Sequence, residues 1–183
     1  FLTILPPKTI GILGGGQLGR MMAMAAQSMG YRCAILDPGL PCAASSLVHQ
    51  VITGPFDSLS HARQLADISD VITYEFENIP APVVKALEAQ AYVPQGFAIL
   101  AVSQNRLREK QALEAAGFSV APYAAVEDSA DLLKAQEQLG YPFLLKTRSG
   151  GYDGKGQYRI GDGKQLSAVA DLLGQSGPYL AEQ

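Results

Sequence analysis

The stretch from Thr9 to Asp37 constrains the fold more than any other part of the chain. It reads as an apolar strand (Ile10 to Leu13), a glycine turn (Gly14 to Gly16), a helix (Gln17 to Met29), a stop at Gly30, and a second strand (Cys33 to Leu36). Two strands joined through a helix run parallel, and such crossovers are right-handed. The helix carries Leu18, Met21, Met22, Ala25, Ala26 and Met29 at spacings of three and four, which predicts a core-facing stripe with methionine as packing material. Further strands are expected at Gln50 to Thr53 and Val71 to Tyr74, with a short one near Tyr92 to Pro94. Helices are expected near Ser60 to Ile68 and Pro82 to Gln90. Strands alternating with helices predict an α/β fold with a doubly wound, parallel, Rossmann-like sheet.

The pattern changes near residue 100. Ser103 is placed to cap a helix running through Arg106 and Lys110 to Gly117, with Lys110 and Glu114 spaced as an i, i+4 pair. Then follow a strand (Ser119 to Ala125), a helix opened by Asp128 and reaching Leu139, and a strand (Phe143 to Lys146). A second glycine loop spans Ser149 to Gln157. A strand (Tyr158 to Ile160), a helix (Lys164 to Leu173) and a last strand (Tyr179 to Glu182) complete the chain. A boundary between about Gln95 and Ser103 divides it into residues 1–99 and 100–183. At 183 residues the length allows one complete domain and part of a second.

Composition excludes several classes. With 14 Lys+Arg against 17 Asp+Glu, a net charge of −3 and no basic run, there is no electrostatic footprint for nucleic acid. Apolar runs such as Phe97 to Val102 fall far short of the ~20 residues that cross a bilayer, so no membrane association is expected. The 2 cysteines lack CxxC spacing, which implies neither a disulfide framework nor a zinc site. His49 and His61 have no partners at metal spacing, so no metal ligands are assigned. A cytoplasmic location follows as the expectation.

Gly14-Gly15-Gly16-Gln17-Leu18-Gly19 fits GxGxxG between a strand and a helix, with Asp37 ending the next strand. That pattern suits a phosphate, since glycines allow close backbone approach and the helix start offers free N–H groups. It also suits a tight turn with close strand–helix packing. Asp37 is compatible with a ribose contact or a turn. Downstream, Tyr74-Glu75-Phe76-Glu77-Asn78 follows an apolar strand, and continued extended geometry would place Glu75 and Glu77 on one face. Carboxylates at the carboxyl edge of a parallel sheet can bind ribose hydroxyls or catalyse; a solvated turn is the other reading. The second loop, with four glycines around Tyr152, Asp153 and Lys155 and with Lys146 before it, has the make-up of a cover for polyphosphate. It lacks GxxxxGK[ST] and is no P-loop.

With GGGQLGRM, YEFENIP, SQNRLREK and GGYDGKGQ in this order, the chain resembles the 5-(carboxyamino)imidazole ribonucleotide synthases, a purine-biosynthetic family of the ATP-grasp superfamily, from about Thr9 to the end. The resemblance implies a pre-ATP-grasp domain followed by the first lobe of an ATP-grasp domain. It implies a ligase that uses ATP to carboxylate 5-aminoimidazole ribonucleotide with bicarbonate through carboxyphosphate, with Mg2+ bridging the phosphates, in a cytoplasmic homodimer. Arg106 and Lys146 match ATP-contacting positions. Gly151, Tyr152, Asp153, Gly154, Lys155, Gly156 and Gln157 match the phosphate-covering loop, while Glu182 and Gln183 begin the hinge that receives adenine. Gly16, Gln17, Leu18 and Glu77 match substrate-side positions, and Tyr152 and Asp153 match catalytic positions near bicarbonate. The resemblance breaks off at Gln183. The second lobe and the magnesium carboxylates are therefore expected in a missing C-terminal part, this stretch alone is expected to be inactive, and the Phe1 start is read as incomplete too. Other expectations kept open are a different ATP-grasp ribonucleotide ligase, such as a formate-using glycinamide ribonucleotide transformylase, and an NAD(P)-binding Rossmann module.

Overall fold

A computed structural model describes residues 3–150, 156–170, 173 and 178–183. The chain divides into two compact units, the first ending at Ala101 and the second starting at Val102.

The first unit runs β1 (Thr9–Leu13), α1 (Gln17–Ser28), β2 (Arg32–Asp37), β3 (Gln50–Thr53), α2 (Leu59–Asp67), β4 (Val71–Tyr74), α3 (Ala81–Glu88), with α4 (Ala98–Ser103) leading out of it. Its sheet has the order β3-β2-β1-β4, and every pairing is parallel. The central strands are apolar along their length because both faces are covered. Leu13, Leu36 and Ile72 pack toward α2 and α3, while Ile12 and Ile35 pack with Ala23 and Ala26 of α1. The doubly wound expectation is realised here.

The buried stripe of α1 is the expected one only in part: Ala26 is buried and Met22 packs against the same core. Gly19, Ala23 and Ala26 face the sheet, whereas Leu18, Met21 and Met29 are each more than half exposed and Ala25 is also exposed. Small side chains set the approach of helix to sheet. A Cβ on Gly19 would overlap the Gly14 carbonyl oxygen, so the helix start can lie against the loop only with glycine there. Gly30, at φ +86°, ends the helix as expected. The short strand at Tyr92 to Pro94 is not formed. Tyr92 contributes one carbonyl to the Ile72 N–H, and the chain then turns.

The second unit contains α5 (Arg106–Ala115), β5 (Tyr123–Val126), α6 (Ser129–Leu139), β6 (Phe143–Thr147), β7 (Gln157–Ile160), α7 (Gly163–Ala170) and β8 (Tyr179–Glu182). Its sheet, ordered β5-β8-β6-β7, is antiparallel throughout. One face carries the core of Val126, Phe143, Leu145, Ile160, Tyr179 and Ala181, covered by Leu132, Ala135 and Leu139 of α6 and by Leu166 and Val169 of α7. Strand alternation sends Leu144, Lys146, Leu180 and Glu182 to the other face.

Several local expectations are corrected. Ser103 ends α4 rather than capping α5. The cap is Asn105, whose side-chain oxygen accepts from the N–H groups of Leu107 and Arg108, an oxygen that reaches N2 and N3 as capping requires. The strand expected from Ser119 begins only at Tyr123. The last helix is described over Gly163–Ala170, and residues 171 and 172 of its expected continuation lie outside the described residues. Lys110 and Glu114 do not pair. Lys110 binds Glu182, and Glu114 accepts from the Tyr123 hydroxyl at 2.6 Å.

Candidate functional site

Each unit holds one group of candidate residues. In the first, the glycine loop leaves the carboxyl end of β1, where open parallel sheets bind ligands. The loop is braced from three sides. The Gly15 N–H donates to Asp37 Oδ2 at 2.8 Å, the Gly15 carbonyl accepts from Ala44 at 2.9 Å, and the Gly14 N–H donates to the Leu36 carbonyl at 3.0 Å. Gly14 has φ +113°, a backbone conformation that disfavours any side chain, and a Cβ there would lie 2.8 Å from Glu75 Oε1 and push that carboxylate aside. Asp37 also accepts from the Gly39 N–H through Oδ1, so both its oxygens serve the turn. Arg20 donates to the Ala43 carbonyl at 2.9 Å and braces the neighbouring loop.

β4 ends at Tyr74, so the alternation expected to carry Glu75 and Glu77 onto one strand face stops short of them. Glu75 instead turns over the loop and accepts from the Gly16 N–H. Glu77 is exposed and accepts from the Asn78 side chain at 2.9 Å. The loop N–H groups at Gly15 and Gly16 are thus held by carboxylates. Partial burial, then the charges of Glu77 and Asp37, push the Glu75 carboxyl above the ordinary glutamate range, only partly opposed by the Gly16 N–H. Three carboxylates around a glycine loop repel a phosphate and accept well from hydroxyl or amino groups. Gly16, Gln17 and Leu18 lie exposed on this edge.

The raised carboxyl has a stability consequence. A group whose folded pKa exceeds its unfolded one binds its proton more tightly when folded, so its ionisation removes stability as pH rises through that interval. Glu75→Gln should therefore melt higher than the parent at pH 8, by about 2 °C, and the difference should vanish near pH 4. Circular-dichroism melts at the two pH values check this.

In the second unit, register builds the site. Glu182 on β8 stands opposite Leu144 of β6 and Tyr123 of β5, and Lys146 stands opposite Leu180. Lys146 and Glu182 are thus diagonal neighbours on the face away from the core, within reach of each other's long side chains. Lys146 Nζ pairs with Glu182 Oε1, and Lys110 of α5 reaches Glu182 Oε2 at 2.9 Å. Burial alone would raise the Glu182 carboxyl. The hydrogen bonds and charges of Lys146 and Lys110 outweigh it and hold the group below its usual range. These residues line a cavity of about 370 Å³ together with Arg106, Glu109 and the apolar Leu113, Val120 and Ala121. A space lined by both cations and aliphatic groups suits a ligand with an anionic part and an apolar part.

Arg106 sits at the start of α5. Its N–H donates to the Arg148 carbonyl at 2.9 Å, and its guanidinium donates to the carbonyls of Thr147 at 2.6 Å and Gly150 at 3.0 Å. It therefore grips the chain where β6 runs into the second glycine loop. Gly156 closes the far side of that loop, its carbonyl accepting from the Thr147 N–H at 2.9 Å. With φ +72°, and with Thr147 Oγ1 only 2.8 Å from a would-be Cβ, it must be glycine. Gln157 pairs with Lys146 across β7 and β6. Gln183 turns inward and donates from its side chain to the Leu139 carbonyl. Gly151, Tyr152, Asp153, Gly154 and Lys155 lie outside the described residues. Among the described residues no group of three or more His, Cys, Asp or Glu could hold a metal, and no helix is long and apolar enough to cross a membrane.

Lys110 and Arg148 escaped the sequence reading. Lys110 lies four residues after Arg106, hence on the same helix face, which was the available signal. Arg148 is buried, with Nε donating to the Tyr179 carbonyl at 2.8 Å and one terminal nitrogen 2.6 Å from Glu127 Oε1. Nothing in its local sequence marks it as buried.

Known proteins agree with both halves of this picture. Residues 7–104 match the ribonucleotide synthetase preATP-grasp domain and residues 111–183 the ATP-grasp domain. The chain is 45% identical over 176 residues to the N5-carboxyaminoimidazole ribonucleotide synthase of Staphylococcus saprophyticus, covering 96% of this chain and 47% of that protein. The Staphylococcus aureus synthetase crystallised with ADP superposes with a TM-score of 0.96 at 45% identity, covering 100% of this chain and 49% of that one. The Aspergillus clavatus synthase, solved with ADP and 5-aminoimidazole ribonucleotide, superposes at 0.81 with 26% identity, covering 96% and 46%. The chain thus spans about half the length of the relatives it matches. With a parallel-sheet unit that matches the first domain and an antiparallel-sheet unit that matches the second, the chain belongs to the ribonucleotide synthetases that join a preATP-grasp domain to an ATP-grasp domain.

Proposed function

We propose that the complete protein is a cytoplasmic, homodimeric ligase of de novo purine biosynthesis that carboxylates 5-aminoimidazole ribonucleotide with bicarbonate at the expense of ATP. Residues 1–99 serve as its preATP-grasp domain and residues 100–183 as the first lobe of its ATP-grasp domain. The observation that carries this reading is the cavity in the second unit, where Arg106, Lys110, Lys146 and Glu182 surround one space beside the aliphatic Leu113 and Val120. Relatives solved with ADP, and with ADP and the aminoimidazole ribonucleotide, support the choice of ligands.

In this reading the γ-phosphoryl group of ATP passes to bicarbonate, giving ADP and carboxyphosphate. The exocyclic amine of the ribonucleotide then attacks the carboxyl carbon, or the CO2 released from it, and phosphate departs. Lys146 and Arg106 offset the negative charge of the phosphates, a role that matters most where charge develops. Gly151, Tyr152, Asp153, Gly154, Lys155, Gly156 and Gln157 cover the phosphates, which keeps water from a labile mixed anhydride. Tyr152 and Asp153 also face bicarbonate. Glu182 and Gln183 border the adenine. Gly16, Gln17, Leu18 and Glu77 receive the ribonucleotide, where a carboxylate accepts from ribose hydroxyls. Mg2+ bound with the nucleotide would supply further charge neutralisation. Its carboxylate ligands are assigned to the part of the relatives' length that this chain does not span.

The test is ADP release by the full-length protein with ATP and magnesium, with the ribonucleotide and bicarbonate each supplied or withheld. Release should require the ribonucleotide, and bicarbonate should be consumed in step with it. Release stimulated by glycinamide ribonucleotide and formate instead, or no release under any combination, would overturn the assignment.

A further inference from the structure

The two lysines on Glu182 are not equivalent. Each takes a different carboxylate oxygen, Lys146 at Oε1 and Lys110 at Oε2, and all three side chains are at least four-fifths buried. Lys110 is anchored a second time. Its Nζ lies 5.6 Å from the centre of the Tyr123 ring, and that ring is itself held by the hydroxyl bond to Glu114 at 2.6 Å. Lys146 extends from a strand toward the same cavity, with Glu182 as its ion-pair partner.

This asymmetry matters when an anion enters. A phosphate oxygen that draws Lys146 away takes one of the two cations from Glu182. A buried carboxylate stripped of its partner is strongly destabilising, and that penalty would be subtracted from ligand affinity. With Lys110 fixed on the other oxygen, the carboxylate stays ionised and in place. The remaining charged groups lining the cavity are Arg106 and Glu109, on the same helix as Lys110.

Building on the nucleotide reading of this cavity, we propose that Lys110 is a positioning residue, which secures Glu182 through Oε2 so that Lys146 can leave Oε1 for a nucleotide phosphate. Lys110 acts through Glu182, without touching the nucleotide. The i, i+4 spacing that sequence alone assigns to a surface pair with Glu114 serves the site instead.

The test uses the full-length protein and measures MgADP affinity by calorimetry, with KM and kcat for ATP alongside. Lys110→Met should weaken ADP binding and raise the ATP KM about tenfold, with kcat changed less than about threefold. Lys110→Arg should recover most of the loss. In a Glu182→Gln background, which carries no buried charge to secure, Lys110→Met should add less than about a twofold loss. Should Lys110→Met fail to fold, Lys110→Gln carries the same expectations. Unchanged affinity in a folded Lys110 variant would overturn the proposal, as would losses that multiply fully in the Glu182→Gln background, since Lys110 would then contact the nucleotide itself. A wild-type protein that binds no ADP would instead overturn the nucleotide reading, and this proposal with it.

Discussion

Lys146→Ala in the full-length protein is expected to lower kcat/KM for ATP by about 10²- to 10³-fold, the range for losing one preorganised charge that stabilises a transition state. The fold should survive. Lys146 projects from the face of β6 opposite the core, and its removal leaves Glu182 with Lys110 at 2.9 Å, so no buried carboxylate is abandoned. Steady-state kinetics together with a thermal melt separate the two effects. Normal turnover by a folded Lys146→Ala protein would remove Lys146 from the phosphate site, whereas a collapsed melt would make it a structural residue.

Gly19→Ala is expected to have the largest effect on stability, about 3 kcal/mol, the upper end for overpacking a tight contact. The added methyl would overlap the Gly14 carbonyl oxygen, which is backbone and cannot swing aside as a side chain would. Relief requires α1 to move off the sheet, away from the contacts of Ala23 and Ala26 with Ile12 and Ile35. Urea denaturation should show the loss in the transition of the first unit. Because the displaced loop carries Gly16, Gln17 and Leu18, the same variant should raise the KM for the ribonucleotide. A variant of parental stability would mean that the loop and helix are not in fixed contact.

The last glycine of GxGxxG is therefore explained by packing, and two of the loop's N–H groups are explained by carboxylates. A sequence reading of that motif as a phosphate cradle captures the turn and the helix start but not the chemistry. The reason is that Glu75 lies just past the end of another strand, some sixty residues away, and only the pairing of β4 with β1 brings it over Gly14 and Gly16. Periodicity misjudged α1 for a related reason. Of the expected stripe Ala26 is buried and Met22 packs on the core, but Leu18, Met21, Ala25 and Met29 are exposed while Gly19 and Ala23 are buried, since hydropathy favours the larger side chains. Closeness to a flat parallel sheet selects the smaller ones.

Local patterning by itself determined the βαβ opening, the parallel first sheet, the strands at Gln50–Thr53, Val71–Tyr74 and Tyr179–Glu182, and the position of the first glycine loop. Those features rest on interactions within a few residues: strand alternation, helical spacing, and backbone conformations that only glycine adopts readily. Tertiary structure alone decided who partners whom. Lys110 was directed to Glu182 rather than Glu114, Arg106 to the carbonyls of Thr147 and Gly150, and Glu75 to the loop of β1. Charged side chains are long and their attraction is not specific to sequence distance, so their pairing is settled by which strands become neighbours and in what register.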